Sequence, residues 1–172
     1  MNSVIHPSVK IADTARVGNF VTIEEGCVIG EGCFIGNNCV LRPFTYIGNR
    51  TVVGHGTVFE GSCRIGEDCL IHAQVHITRG VIIEDKVFIA PMTCLANDKH
   101  MAHMRGNWIP QPPIIRRGAR IGIGCSILPG VEIGANSVIG AGAVIAKNVP
   151  EGKMVLGVPG KIIGDVPRGE WV

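Results

Sequence analysis

The residues best suited to chemistry gather in one irregular segment, 96–114, which interrupts an otherwise regular sequence. A long excursion from a regular scaffold usually carries function, although a solvated loop without a role is the alternative. Four of its residues can move a proton or hold a reacting group, and we predict that they are catalytic: Asn97, Asp98, His100 and His103. Arg105 and Trp108 are predicted to bind substrate.

The elements that must position this segment follow from a six-residue repeat. An aliphatic or aromatic residue recurs at every sixth position from Ile5 to Leu95, and the pattern resumes from Ile115 to Ile145 after a shift of two residues. Neither an α-helix nor an alternating strand has this period. A triangular parallel β-helix does, because each hexad forms one short side and three hexads close a coil. The sequence therefore predicts an all-β fold of about seven coils.

Two further positions of the hexad describe the interior and the corners of this prism. The residue four places after each aliphatic one is small or β-branched, which suits an inward position beside a corner. Six cysteines occupy it and are interpreted as core residues in a reducing compartment: Cys27, Cys33, Cys39, Cys63, Cys69 and Cys125. Glycine often follows the aliphatic residue directly, as at Gly18, Gly30, Gly36, Gly48, Gly54, Gly66, Gly122, Gly134 and Gly140. These glycines are expected to supply a positive φ.

Stacking of the coils brings residues 18 positions apart together, which gives the insertion its neighbours. Cys94 should lie above His76, and Asn97 above Arg79, at the root of the insertion. We predict that His76 is a further catalytic residue, and that His72 and Arg79 bind substrate. An outward histidine on a solenoid is otherwise an ordinary surface residue.

Composition narrows the class of ligand. The formal net charge is +2 with no long basic run, which argues against nucleic acid and against a membrane surface as partners. The chain begins with polar residues and contains no stretch of about 18 apolar residues, so we expect a cytoplasmic protein. A small-molecule ligand remains the best expectation.

The repeated pattern of Ile-Gly, two variable residues and a small residue resembles the hexapeptide-repeat acyltransferase superfamily. This resemblance implies a left-handed wind, which periodicity cannot show because parallel crossovers are normally right-handed. It also implies acetyl-CoA as cosubstrate, no metal, and a homotrimer with active sites between adjacent subunits. The acetyl-CoA would lie against residues of the later coils and the tail: Gly122, Gly124, Gly140, Ala141, Gly142, Lys147 and Lys161.

A closer resemblance concerns the acceptor. The runs 80–89 and 95–100 are similar to the segment that precedes the active-site loop in nucleotide-sugar 3-amino N-acetyltransferases, which act on nucleotide-linked amino sugars made for surface polysaccharides. In those enzymes a loop asparagine lies beside the acceptor amine, and Asn97 matches it. The runs 133–145 and 155–163 are similar to the CoA-side coils and tail of the wider superfamily. We expect a β-helix domain over 1–150 and a C-terminal cap over 151–172.

Two other functions remain open. A gamma-class carbonic anhydrase shares the scaffold but holds zinc through three histidines about two coils apart, and steps of 36 residues from His72 or His76 reach no histidine. Zinc could bind only through the irregular loop. A non-catalytic β-helix scaffold is the other alternative. Within the acyltransferase interpretation, serine, maltose-type sugars and antibiotics are alternative acceptors.

Overall fold

A computed structural model describes residues 2–101 and 109–172, and most of this backbone is two-residue strands separated by four-residue corners. The strands build three faces of a prism. The first face contains β1 (Val4–Ile5), β4 (Thr22–Ile23), β7 (Val40–Leu41), β10 (Val58–Phe59), β13 (His76–Ile77), β16 (Cys94–Leu95), β19 (Ser126–Ile127) and β22 (Val144–Ile145). The second face contains β2 (Lys10–Ile11), β5 (Val28–Ile29), β8 (Tyr46–Ile47), β11 (Arg64–Ile65), β14 (Ile82–Ile83), β17 (Ile114–Ile115) and β20 (Glu132–Ile133). The third face contains β3 (Arg16–Val17), β6 (Phe34–Ile35), β9 (Val52–Val53), β12 (Leu70–Ile71), β15 (Phe88–Ile89), β18 (Arg120–Ile121), β21 (Val138–Ile139), β23 (Lys153–Leu156) and β24 (Lys161–Asp165).

Each strand from β1 to β19 pairs in parallel with the third strand after it in the chain, so every coil adds one strand to each face. His76 on β13, for example, is the register partner of Cys94 on β16. This is the predicted left-handed parallel β-helix. We name the corner after the first face the first corner, and those after the second and third faces the second and third corners. The insertion joins β16 to β17 and therefore leaves the prism at the first corner.

The core is a continuous column of the recurring aliphatic residues. Leu41, Ile71 and Ile89, one on the first face and two on the third, are each completely buried. The six cysteines predicted to lie inside are buried as well. Burial raises the pKa of the Cys63 and Cys69 thiols to about 11, so both are protonated and unreactive at neutral pH.

The expectation that the glycine after the aliphatic residue supplies a positive φ is wrong. A left-handed conformation is found two residues later, for example at Gly32 (φ +65°) after Gly30 and at Arg50 (φ +56°) after Gly48. The glycine directly after the aliphatic residue is needed for space. A Cβ on Gly48 would lie 2.6 Å from the carbonyl of Gly66 in the next coil. Stacked coils approach too closely there for any side chain.

The C-terminal segment closes the last coil. Strand β23 pairs in parallel with β21, and β24 returns antiparallel to β23. A 3-10 helix, Arg168–Glu170, follows, and Glu170 forms an ion pair of 2.8 Å with Arg120 on the third face. Among the described residues, no helix has the length and apolar character needed to cross a bilayer.

Candidate functional site

A groove of about 350 Å³ lies at the first corner, beside the root of the insertion. Its lining contains three of the residues that the sequence predicted, His76, Arg79 and Asn97, together with Glu60 and Thr78. Sequence reasoning missed Glu60 and Thr78. The same 18-residue step could have found them, because Thr78 precedes Arg79 and Glu60 lies one coil below Thr78. The structure thus brings together predicted residues from two successive coils, and Glu60 adds a third coil.

Asn97 is the most firmly held residue of the groove. It is 7% exposed, and its Nδ2 donates a hydrogen bond of 3.0 Å to the carbonyl oxygen of Arg79. Its own carbonyl oxygen accepts from the N–H of Gln111 at 2.8 Å, which ties the two ends of the insertion together. Because Nδ2 of Asn97 already donates to the backbone, the side-chain oxygen is the polar atom that can accept a hydrogen bond from a substrate.

His76 projects outward from the first face, with its side chain 46% exposed. Its Nε2 lies 3.8 Å from Oε1 of Glu60. An imidazole can accept or release a proton near neutral pH, so this side chain can act as a general base. The neighbouring Cys94 is exposed, but desolvation raises the pKa of its thiol. It is therefore a protonated thiol at neutral pH and a poor candidate nucleophile.

Arg79 is the cation of the groove. Its side chain is exposed, and among residues 2–101 and 109–172 no carboxylate forms an ion pair with it. Other arginines are neutralised: Arg50 pairs with Asp68 at 2.6 Å, and Arg116 pairs with both Glu84 and Glu132 at 2.8 Å. Arg79 thus offers an unneutralised guanidinium, which suits a phosphate or a carboxylate of a ligand.

The remaining predicted site residues are more scattered. The carboxylate of Asp98 accepts a hydrogen bond of 3.0 Å from the backbone N–H of His100, whose side chain is exposed. His72 lies at the third corner, where its ring packs edge-on against Phe88 at 5.1 Å between centroids. It is therefore on the far edge of the first face from the groove. His103, Arg105 and Trp108 lie outside the described residues.

The residues predicted to bind acetyl-CoA fall into two groups on opposite edges of the first face. At the third corner, Gly124 and Gly142 border open space, since a Cβ on either would meet nothing within 4 Å. Gly122 lies too close for a Cβ to the backbone of Ala141, and Gly140 to the side chain of Leu156, so packing within the fold accounts for both glycines.

The lysines lie elsewhere. Lys147 and Lys161 line a groove of about 300 Å³ at the C-terminal end of the prism. Lys147 occupies the same position of the first corner as Arg79 and Asn97, two coils above Asn97. The first corner therefore carries the candidate acceptor groove in the middle and a basic groove at its end.

The described residues contain no group of three histidine, cysteine, aspartate or glutamate side chains placed to hold a metal ion.

Two family models match parts of this chain. Residues 1–98 match the family described as the GMPPB C-terminal domain, and residues 112–147 match the bacterial transferase hexapeptide (six repeats). A serine acetyltransferase of Buchnera aphidicola is 38% identical over 55% of this chain and 33% of its own length. The galactoside O-acetyltransferase of Escherichia coli is 38% identical over 50% of this chain and 44% of its own. The chain thus spans less than half of these two relatives.

Among solved structures, a hexapeptide-repeat acetyltransferase of Vibrio cholerae in complex with acetyl-CoA is 28% identical, with a TM-score of 0.63. The similarity covers 70% of each chain.

Proposed function

This chain belongs to the GMPPB C-terminal domain family and to the hexapeptide-repeat acyltransferase superfamily, and from that premise we propose that it transfers an acetyl group from acetyl-CoA to a small-molecule acceptor. The observation that carries the proposal is the meeting of His76, Arg79 and Asn97 in one groove at the root of the insertion. That the Vibrio cholerae relative binds acetyl-CoA supports the choice of donor.

His76 and Asn97 have different roles in this reaction. Transfer from a thioester requires that the acceptor lose a proton and that the acceptor be held against the thioester carbonyl. His76 is the base, and the side-chain oxygen of Asn97 orients the acceptor by accepting one of its hydrogens. Asp98, His100 and His103 complete the catalytic group from the insertion.

The donor lies along the first corner. Lys147 and Lys161 at its end bind the phosphates of acetyl-CoA, while the thioester reaches the coils of His76 and Asn97. Gly124 and Gly142, at the third corner, form an alternative binding surface for acetyl-CoA on the opposite edge of the first face.

We infer that the acceptor is the amino group of a nucleotide-linked sugar. Arg79 is the observation that favours this class, because its unneutralised guanidinium borders the groove and suits a diphosphate. The resemblance of the runs 80–89 and 95–100 to the amino-sugar enzymes supports the same acceptor. His72, Arg105 and Trp108 would contact its more distant parts.

The test is a screen of acetyl-CoA consumption with the purified protein. UDP- and dTDP-linked amino sugars, amino acids and simple sugars are offered in turn, and binding of acetyl-CoA is measured separately by calorimetry. We expect binding of acetyl-CoA and turnover with a nucleotide-linked amino sugar. Absence of both contradicts the enzyme and supports a scaffold, whereas turnover with another acceptor changes only the acceptor.

The base is tested with His76→Asn, which we expect to lower kcat by roughly 10²-fold to 10⁴-fold. His6→Asn is the matched control, since His6 is an exposed histidine on the N-terminal coil. Full activity of the His76 variant would transfer the role to His100, to His103 or to the thioester sulfur.

A further inference from the structure

We propose that Glu60, held in place by Arg42, is a positioning residue that orients the imidazole of His76 for proton transfer. The inference rests on the proposed acetyl transfer and names the residues behind its base. The composition of the insertion gave no reason to expect Glu60 or Arg42 near the site. Both residues lie on earlier coils, where each directly follows the inward residue of its strand.

The geometry is a short relay along the first corner. Oε2 of Glu60 accepts a hydrogen bond of 3.2 Å from Nη1 of Arg42. The other carboxylate oxygen, Oε1, lies 3.8 Å from Nε2 of His76. The two carboxylate oxygens thus have separate partners. Arg42 belongs to the coil below Glu60, and its Nε lies 4.0 Å from a second carboxylate, that of Glu24. Arg42 holds one oxygen of Glu60, and the other oxygen faces the ring.

Oε1 of Glu60 lies 3.8 Å from Nε2, beyond hydrogen-bond distance, so it acts on the ring through its charge. A carboxylate on that side favours the tautomer with hydrogen on Nε2, because its negative charge attracts the N–H. Nδ1 then presents its lone pair, and no hydrogen-bond partner of Nδ1 is found in the described part of the chain. Nδ1 is therefore the ring nitrogen that can take a proton from the acceptor substrate.

The chemical step follows from this assignment. The nitrogen of a neutral amine attacks the thioester carbonyl carbon, so that a C–N bond forms and the C–S bond breaks. The amine proton passes to Nδ1 of His76 and then to the departing thiolate, which leaves as the thiol of CoA. While the ring carries both protons it is a cation, and the carboxylate of Glu60 stabilises it. All atoms and charges balance without a further reactant.

A double-mutant cycle tests the relay. Glu60→Gln keeps the shape of the side chain and removes its charge, and we expect it to lower kcat roughly 10-fold with little change in the KM for acetyl-CoA. In a His76→Asn background the same substitution should change kcat by less than about 2-fold, because the residue through which Glu60 acts is gone. Glu60→Asp should restore part of the activity.

Glu24→Gln is the matched control. It removes a carboxylate from the same arginine, one coil further from His76, and should leave kcat within about 2-fold of the unmodified protein. Equal losses from Glu24→Gln and Glu60→Gln would mean a general effect of charge and would overturn the relay. Additive losses in the cycle would overturn it as well.

A measurement without acceptor separates this inference from the proposed function. ¹⁵N NMR of the imidazole reports the tautomer directly, and we expect the share of the Nε2–H form of His76 to be larger in the unmodified protein than in Glu60→Ala. If no acceptor is acetylated, the proposed function fails, yet the tautomer still decides whether Glu60 orients His76. If acetylation occurs but Glu60→Gln is fully active, only the relay fails.

Discussion

Two kinds of glycine, separated by two residues in the hexad, answer to different physical demands. Gly48 is needed because a Cβ would lie 2.6 Å from the backbone of the next coil, which cannot move without disturbing the stack. Gly142 has open space around it but a φ of +69°, so a side chain there would meet only backbone strain.

We therefore expect Gly48→Ala to cost about 3 kcal/mol of unfolding free energy and Gly142→Ala about 1 kcal/mol. Denaturation in urea measures both. Equal costs would mean that the left-handed conformation, and not the close approach of coils, limits these positions.

Asn97 combines a structural and a functional role in one side chain. Asn97→Ala removes the donor to the carbonyl of Arg79 and should cost about 1–3 kcal/mol, while also abolishing acetyl transfer. Asn37→Ala is the matched control, because Asn37 also bonds to a backbone group one coil away, accepting from the N–H of Asn19 at 2.8 Å. Thermal unfolding and turnover are measured on both variants. Loss of activity in the Asn37 variant would show that coil stability alone governs turnover.

For individual residues, the sequence predicted which side chains point into the core. It did not predict the contacts among the side chains that point outward. Every hexad repeats its aliphatic residue, so one rule places the whole core. Glu60 follows no such rule, because its role depends on the lengths and rotamers of Arg42 and His76 on adjacent coils. The positive φ was assigned to the wrong residue since a glycine can mark either conformational freedom or lack of space.

Strand β17, to which the chain returns after the insertion, is held by a cluster of ion pairs on the second face. We call this cluster, Arg116 with Glu84 and Glu132, the clamp. Arg116 follows β17, and its guanidinium bonds at 2.8 Å to Glu84 after β14 and to Glu132 on β20. Three successive coils are thus joined across the point where the repeat is broken. The arginine lowers the pKa of the Glu132 carboxyl, mainly through this hydrogen bond, below its ordinary value of 4.5.

The lowered pKa gives the clamp a defined pH dependence. The unfolded chain binds the proton more readily than the folded one, so the stabilisation is complete above about pH 4.5 and is lost as the pH falls through the folded-state value. We expect the unfolding free energy of the unmodified protein to fall as the pH drops below about 4.5, and that of Arg116→Gln to fall less steeply. Arg16→Gln, on the third face, should keep the original slope. A parallel slope in the Arg116 variant would exclude the clamp as the cause.

The insertion shows how far element-level prediction reaches. The shift of two residues between Leu95 and Ile115 predicted that the chain leaves the prism and returns in register, and β16 and β17 confirm it. The positions of Asn97 and Arg79 followed from the same step of 18. His72 lies at the third corner and is not among the residues that line the groove, so its role in substrate binding stays a prediction.

For the whole molecule, the third face is the surface that most needs cover. Its outward positions carry Phe34, Val52, Leu70 and Phe88 on four stacked strands, and Phe34 and Leu70 are 37% and 36% exposed. Such a contiguous apolar row is typical of a protein–protein interface. The resemblance to the hexapeptide-repeat acyltransferases implies that the cover is a second and a third copy of the chain.

We expect light scattering after gel filtration to give about three times the chain mass of 18.3 kDa. Leu70→Glu places a charge in the middle of the apolar row and should yield monomers. Tyr46→Glu is the matched control, since Tyr46 is equally outward on the second face and 39% exposed. It should remain trimeric and active. A monomeric unmodified protein that still turns over acetyl-CoA would place the complete site within one chain, at the groove of the first corner.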